Sequence, residues 1–126
     1  MQDYHKLQVY QDAFKLSLAV REDLIDSKEY RLKEQLNGAL SSIFANIAEM
    51  TGYDNKNQQR QKIIICIGES KEAESWLEYC REARIVSREK ASIYIKEVIH
   101  IRMKLCGLLK SVNKDVTEQH ISTTTQ

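Results

Sequence analysis

Apolar residues recur at every third or fourth position along four successive segments of this chain, and no proline interrupts them. This spacing places the apolar side chains on one face of an α-helix. Because only about two to five residues connect the segments, consecutive helices should run in opposite directions. We therefore predict an all-α fold, an antiparallel up-down-up-down four-helix bundle. The four predicted helices cover residues 7–25, 29–51, 56–86 and 89–112.

Residues 63–67 also fit a buried strand, because β-branched residues favour strands. Polar helix-forming residues flank this run for several turns on both sides, and no turn signal bounds it. We therefore predict that the third helix passes straight through the run. Gly68 follows inside the same helix and costs about 1 kcal/mol relative to alanine, so we expect a neighbouring helix to approach it closely.

The ends of the chain and its cysteines set further limits. Residues 113–126 lack apolar periodicity, so we expect residues 1–112 to form the bundle and the remainder to be a disordered tail. Three cysteines without C-x-x-C spacing favour thiols in a reducing compartment. The N-terminus lacks a signal-peptide pattern and no apolar run could cross a bilayer, so we expect a cytoplasmic protein without a membrane partner.

Basic residues are the first candidates for a binding site. The 19 basic and 18 acidic side chains nearly cancel, so a nucleic-acid site would have to be a local patch. Two groups could contact phosphates, one at the start of the third predicted helix and one near its end. Interspersed glutamates favour the other interpretation, a solvated helix face. The candidate nucleic-acid-binding residues are Lys56, Arg60, Lys62, Arg81, Arg84 and Arg88.

A polar cluster between the second and third predicted helices is the next candidate. Asn46 and Glu49 lie three residues apart on one helix face inside an otherwise apolar run, and Glu74 follows on the third helix. Polar groups in such surroundings must find partners or stay exposed. We expect the three to form a buried network that fixes helix register, and the alternative is a site for a ligand or a partner.

The fourth predicted helix carries more apolar surface than one core needs. A second apolar stripe lies beside the heptad-spaced seam that begins at Tyr94 and ends at Val112. This wide face either packs against identical copies or simply broadens the core, and the sequence leaves both open. The candidate oligomer-interface residues are Ile95, Ile99, Cys106 and Leu109.

The motifs disfavour catalysis and metal binding. A di-metal bundle needs two Glu-x-x-His motifs, and the predicted helices supply only the one formed by Glu97 and His100. Helical geometry turns His100 away from the core. The chain has no G-x-S-x-G motif and no glycine-rich phosphate loop. We therefore expect no enzyme activity, no catalytic residue, no metal and no cofactor.

Three stretches carry a resemblance to a known family. Residues 7–13 match a Leu-x-Val-Trp/Tyr-Gln-x-Ala pattern, and residues 35–50 match a motif centred on Asn-Ile-Ala-Glu. Residues 68–77 match a Gly-Ser-x-x-Glu-x-x-x-x-Leu pattern, with Glu69 in place of serine. The chain thus resembles the four-helix-bundle proteins encoded in intervening sequences of bacterial 23S ribosomal RNA genes, over residues 7–112.

This resemblance implies an assembly and partners. Such proteins are similar to the accessory variability proteins of diversity-generating retroelements, so the resemblance implies a ring-like homopentamer that serves as a scaffold for RNA or DNA. The alternative is a scaffold for a protein such as a reverse transcriptase, without nucleic-acid binding. The family's paired arginines are Asn37 and Gly38 here, which weakens the expectation of nucleic-acid binding. The family's proline is Phe44, so the second helix should run straighter.

Overall fold

The molecule is built from α-helices. The computed structural model describes the backbone of residues 3–125 and the side chains of residues 3–118. No strand occurs in that range, which confirms the predicted all-α fold, and no helix there combines the length and apolarity that a bilayer span requires. Met1, Gln2 and Gln126 lie outside the described residues. The helices are α1 (Gln8–Asp23), α2 (Tyr30–Thr51), α3 (Lys56–Glu82) and α4 (Arg88–Thr125), preceded by a short 3-10 helix at Tyr4–Lys6.

The helices close into a bundle in chain order. α1 packs against α2 and α4, and α3 packs against the same two helices. The diagonal pairs do not pack on each other within the described residues. The short connections make neighbouring helices antiparallel, which confirms the predicted up-down-up-down topology. All four helices contribute to one core, whose fully buried side chains include Leu16, Leu36, Ile43, Leu77 and Leu105.

The β-branched run of α3 is helical, as predicted. Ile63 and Cys66 point into the core, whereas Ile64 and Ile65 remain 42% and 43% exposed. The expected close approach of a helix to Gly68 is wrong, because a Cβ placed there would meet no atom within 4 Å. Gly68 is exposed to solvent on α3.

α3 ends at Glu82, earlier than the predicted end at Val86. Arg84 adopts a left-handed backbone conformation with a φ of 58°. The Ile85 N–H donates to the Cys80 carbonyl oxygen at 2.9 Å, which is the six-to-one hydrogen bond of a Schellman motif. This helix end could not be predicted from the sequence. Glycine or asparagine usually occupies the left-handed position after a helix, and here that position is occupied by Arg84.

α4 continues to Thr125, so the predicted helix end at Val112 is wrong. Contacts with the bundle explain the extension. Arg60 Nε of α3 donates to Asn113 Oδ1 at 2.8 Å, and Val116 packs against the core. No glycine or proline follows that would stop the helix. The segment predicted as a disordered tail is therefore helical as far as Thr125.

Candidate functional site

The six candidate basic residues lie at opposite ends of α3. One group occupies the first two turns of α3, and the other surrounds the connection from α3 to α4. At a rise of 1.5 Å per residue, Lys56 and Arg81 are roughly 37 Å apart along the helix. The six residues therefore cannot form a single patch. The first group is Lys56, Arg60 and Lys62, and the second is Arg81, Arg84 and Arg88.

The first basic group ties α3 to its neighbours. Each of its side chains has a partner on α2 or α4, and the hydrogen bond with the Glu49 carboxylate raises the pKa of Lys62. Side chains that are already paired offer fewer donors to a phosphate. This end of α3 therefore fits the solvated, mixed-charge interpretation better than a nucleic-acid interface. The pairs are Lys56–Asp115 at 3.7 Å, Arg60–Asn113 at 2.8 Å and Lys62–Glu49 at 2.6 Å.

The second group, which we call the arginine corner, consists of Arg81, Arg84 and Arg88. These residues line a cavity of about 400 Å³ together with Glu82, Val86 and Ser87. Glu82 accepts hydrogen bonds from Arg88 Nη2 at 2.9 and 3.4 Å. Arg84 is exposed and makes no ion pair within the described part of the chain. The corner is therefore only partly neutralised.

Local backbone structure fixes the arginine corner. The Schellman motif that ends α3 holds Arg84 in its left-handed conformation. Ser87 then caps α4, because its Oγ accepts from the Lys90 N–H at 3.2 Å. The N-terminus of α4, the positive end of the helix dipole, thus lies beside the arginines.

The predicted polar network of Asn46, Glu49 and Glu74 does not form. Asn46 Nδ2 donates within α2, to the Ser42 carbonyl oxygen at 2.8 Å and to Ser42 Oγ at 3.0 Å. Glu49 is exposed and pairs with Lys62 of α3. Glu74 lies on the other side of α3 and pairs with α4. The prediction is wrong because an asparagine four residues after a serine can satisfy its amide within its own helix.

The partner of Glu74 is Arg102, which the sequence did not single out. Arg102 Nη2 lies 2.5 Å from Glu74 Oε1, and the two side chains are only 14% and 22% exposed. No sequence signal identifies this pair, because helical periodicity gives the face of each residue but not the axial register of α3 against α4.

The predicted oligomer stripe on α4 divides between core and surface. Ile95 is buried and Leu109 packs against the core, so the broad-core interpretation holds for these two. Ile99 is 37% exposed, and Cys106 is exposed as well. Further apolar side chains are exposed on the outer sides of α3 and α4, and we call them together the α3–α4 face. They are Ile64 of α3 and Ile99 and Met103 of α4.

A second apolar surface, the α1–α2 groove, lies on the opposite side of the bundle. The Phe14 and Phe44 rings pack edge to face at 5.1 Å, and Leu18 beside them is 53% exposed. The groove has a volume of about 280 Å³. Its remaining lining is mostly small or polar and consists of Ser17, Arg21, Asn37, Gly38 and Ser41.

A polar cleft between α1 and α4 contains Asp12, Lys15, Glu97 and His100. Burial raises the pKa of Glu97, and the nearby Asp12 carboxylate raises it further. Lys104 pairs with Asp12 at 2.5 Å. Across the part of the chain that the structure describes, no three His, Cys, Asp or Glu side chains meet as a metal site. The cleft thus joins two helices through opposite charges.

Comparisons with known proteins agree with this fold. The model of the 23S rRNA-intervening sequence protein family matches residues 5–107. The chain belongs to that family. A crystal structure of a protein of unknown function, from the S23 ribosomal protein family of Bacteroides thetaiotaomicron, resembles the chain with a TM-score of 0.76 at 23% identity. The similarity covers 81% of this chain and 98% of that chain, and it supports the fold alone. No curated protein matches the chain.

Departures from the intervening-sequence family pattern lie in the α1–α2 groove. Asn37 and Gly38 replace the paired arginines, and a Cβ at Gly38 would meet no atom within 4 Å. Phe44 stands in place of the proline, and α2 is helical from Tyr30 to Thr51. Without two long charged side chains over it, the groove leaves its aromatic wall accessible.

Proposed function

We propose that the protein is a non-catalytic scaffold that assembles into a ring of identical copies. The observation that carries this proposal is that one bundle has two different apolar surfaces, the α1–α2 groove and the α3–α4 face, on opposite sides. Two different surfaces that bind each other form a heterologous interface, which closes into a ring when the rotation between copies permits. The family resemblance sets the expected number of copies at five.

In the proposed interface, apolar side chains of one copy enter the groove of the next copy. Small residues line the groove together with its aromatic wall and Leu18, and Ile99 and Met103 are exposed on the other side of the bundle. Met103 is 64% exposed in the single chain. Burial of apolar surface stabilises an interface by about 25 cal/mol per Å². Single exposed apolar residues are normal, so the argument rests on neighbouring pairs one helical turn apart, Phe14 with Leu18 and Ile99 with Met103.

Light scattering of separate and mixed variants tests the ring. We expect Leu18→Glu in the groove and Met103→Glu on the face each to give monomers, because each places a charge in the interface. Gln58→Glu adds the same charge at an exposed polar position and should leave the assembly intact. Circular dichroism spectra like that of the wild type would show that the variants fold.

Mixing the two interface variants distinguishes a heterologous interface from a symmetric one. One intact groove can then meet one intact face, so the mixture should contain a pair with one copy of each variant. In a symmetric interface only one of the two variants would be monomeric by itself, and mixing would produce no pair with one copy of each variant. A monomeric wild-type protein at cellular concentration would refute the proposal.

A second candidate function, nucleic-acid association, is favoured by the arginine corner. Three arginines meet at one end of the bundle, and Arg84 lacks an ion pair among the described residues. In a ring, every copy would present its corner at the same end. Weak contacts repeated around a ring combine into stronger binding through avidity.

Fluorescence anisotropy with labelled RNA and DNA over a range of salt concentrations tests nucleic-acid association. Each phosphate contact that is lost should reduce the slope of log affinity against log salt by about 0.7 on single strands and about 0.9 on duplex DNA. Arg84→Ala and Arg88→Ala should each reduce the slope. Arg31→Ala, at an exposed position of α2, is the control and should leave the slope unchanged. No binding at low salt would leave the protein-only scaffold as the function.

Three finer expectations remain part of this proposal. They are the assembly of five copies, the cytoplasmic location and the relation to retroelement accessory proteins with a reverse-transcriptase partner. The mass of the assembly tests the first. Co-purification of a reverse transcriptase with the assembled wild-type protein tests the third, and such a partner would have to bind outside the two surfaces that the ring covers.

A further inference from the structure

We propose that the arginine corner is a phosphate-binding site, in which the Glu82 carboxylate occupies the guanidinium groups until a phosphate group displaces it. The inference deepens the proposed nucleic-acid association and rests on it for its biological context. The site lies within one chain, so phosphate binding itself does not require the ring.

The charge in the cavity favours an anion. Its lining includes three arginines and one glutamate, which gives a net charge of +2. Arg81 Nε is shielded from solvent and has no hydrogen-bond partner among the residues that the structure describes, and the nearest oxygen of Glu82 is 3.6 Å away. A cavity of about 400 Å³ also has room for a phosphate group and several waters.

The Glu82 carboxylate occupies the position that the phosphate group would take. This carboxylate lies near both Arg81 and Arg88, and within the described part of the chain it accepts hydrogen bonds from Arg88 alone. Inorganic phosphate carries more negative charge than a carboxylate, and a nucleic-acid phosphodiester carries the same single charge on two terminal oxygens. Arginine forks bind either group in pairs of parallel hydrogen bonds. The Arg88 side chain is 71% exposed, and such exposed ion pairs are weak, so displacement of Glu82 costs little.

The backbone presents the site in advance of binding. The left-handed residue Arg84 reverses the chain between α3 and α4, and capping by Ser87 fixes the first turn of α4. The N-terminal N–H groups of a helix favour anions, and here they adjoin the cavity lining. The three arginines therefore surround a connection whose backbone is held by hydrogen bonds at the end of α3 and the start of α4.

Nitrogen-15 NMR of the arginine Nε–H signals, with inorganic phosphate added to the full chain at constant ionic strength, tests the site. We expect saturable shifts for Arg81, Arg84 and Arg88, and none with chloride. Glu82→Gln removes the competing charge and should tighten phosphate binding roughly fourfold, as expected for one charge at about 5 Å in water. Arg84→Lys and Arg88→Lys keep the charge but lose the fork, and should weaken binding.

Glu78→Gln is the matched control, because it removes an exposed carboxylate one turn earlier on α3. Equal phosphate affinity of the Glu82→Gln and Glu78→Gln variants would overturn the inference, as would equal shifts with chloride and phosphate.

RNA binding by the same variants separates the inference from the proposed function. Phosphate binding without RNA binding would support the site and refute nucleic-acid association. RNA binding that ignores Glu82→Gln and Arg84→Lys would support nucleic-acid association and refute the site. RNA binding that strengthens with Glu82→Gln and weakens with Arg84→Lys would support both.

Discussion

The ion pair between Glu74 and Arg102 should respond asymmetrically to removal of its two members. The pair joins α3 to α4 at 2.5 Å, and both side chains are mostly buried. Arg102 Nη1 is shielded from solvent and already lacks a hydrogen-bond partner among the described residues. Glu74→Leu would therefore leave two guanidinium nitrogens without partners, whereas Arg102→Met leaves a carboxylate that water can reach.

The expected magnitudes follow from the degree of burial. Removal of one partner costs about 3–5 kcal/mol in a fully buried pair and about 0–1 kcal/mol in an exposed pair. With side chains 22% and 14% exposed, this pair lies between the limits. We expect Glu74→Leu to lower the free energy of unfolding by about 2–3 kcal/mol, and Arg102→Met by about 1 kcal/mol. The double variant should come within about 1 kcal/mol of wild type, because apolar residues of similar volume can replace such a pair.

Urea unfolding followed by far-UV circular dichroism measures these free energies. The protein concentration must be constant, because self-association adds to apparent stability. If the slope of the free energy of unfolding against urea concentration is the same in all variants, their unfolded states are comparable. Glu78→Leu, at an exposed position of the next turn, is the control and should change stability little. Equal losses in the two single variants, or an additive double variant, would refute the reasoning.

Further predictions concern a thiol, a carboxylate and a helix end. A thiol reagent should modify exposed Cys106 in the native protein but Cys66 only after unfolding, because burial raises the pKa of Cys66 to about 12. A hydrogen bond from Tyr94 lowers the pKa of Asp23 below its usual value of 3.8. The ionised Asp23 therefore stabilises the fold above pH 3.8, and this stabilisation is lost as the pH falls through the lowered pKa. Tyr94→Phe should reduce this acid sensitivity in pH-dependent unfolding. Arg84→Gly should raise the free energy of unfolding by about 0.5–1 kcal/mol, and a loss would contradict the left-handed strain.

Helix positions and the core were predictable because burial imposes a period on the sequence. Ile63 and Cys66 recur on the buried side of α3, and polar residues around them identify the run as helical. The end of α3 was not predictable in the same way. Its left-handed residue is an arginine, and no local pattern distinguishes that arginine from its helical neighbours.

The polar sites were less predictable, because their partners depend on how neighbouring helices are aligned. The sequence gives Glu49 and Glu74 as polar positions near apolar faces. Only the structure shows that Glu49 of α2 pairs with Lys62 of α3, whereas Glu74 of α3 pairs with Arg102 of α4. A shift of one helical turn between two helices would change each of these partners without altering the periodicity.

The extension of α4 beyond Val112 was also not predictable from local sequence patterns. Residues after Val112 lack an apolar stripe of their own and therefore resemble a tail. Their helix is supported by contacts with α3, such as the hydrogen bond from Arg60 to Asn113. A contact between residues that are far apart in the chain leaves no trace in a local pattern.

The distribution of interhelical ion pairs explains why the α1–α2 groove is suited to apolar recognition. Among the described residues, ion pairs join α1 to α4, α2 to α3 and α3 to α4, but none joins α1 to α2. Aromatic contacts occupy that seam instead, with Phe44 of α2 against Tyr10 and Phe14 of α1. Asn37 and Gly38 are uncharged where the family pattern has arginines, which leaves Arg21 as the charged side chain in the lining of the groove. An apolar side chain from a neighbouring copy can therefore enter the groove without separating an ion pair, which would not hold at any other seam of this bundle.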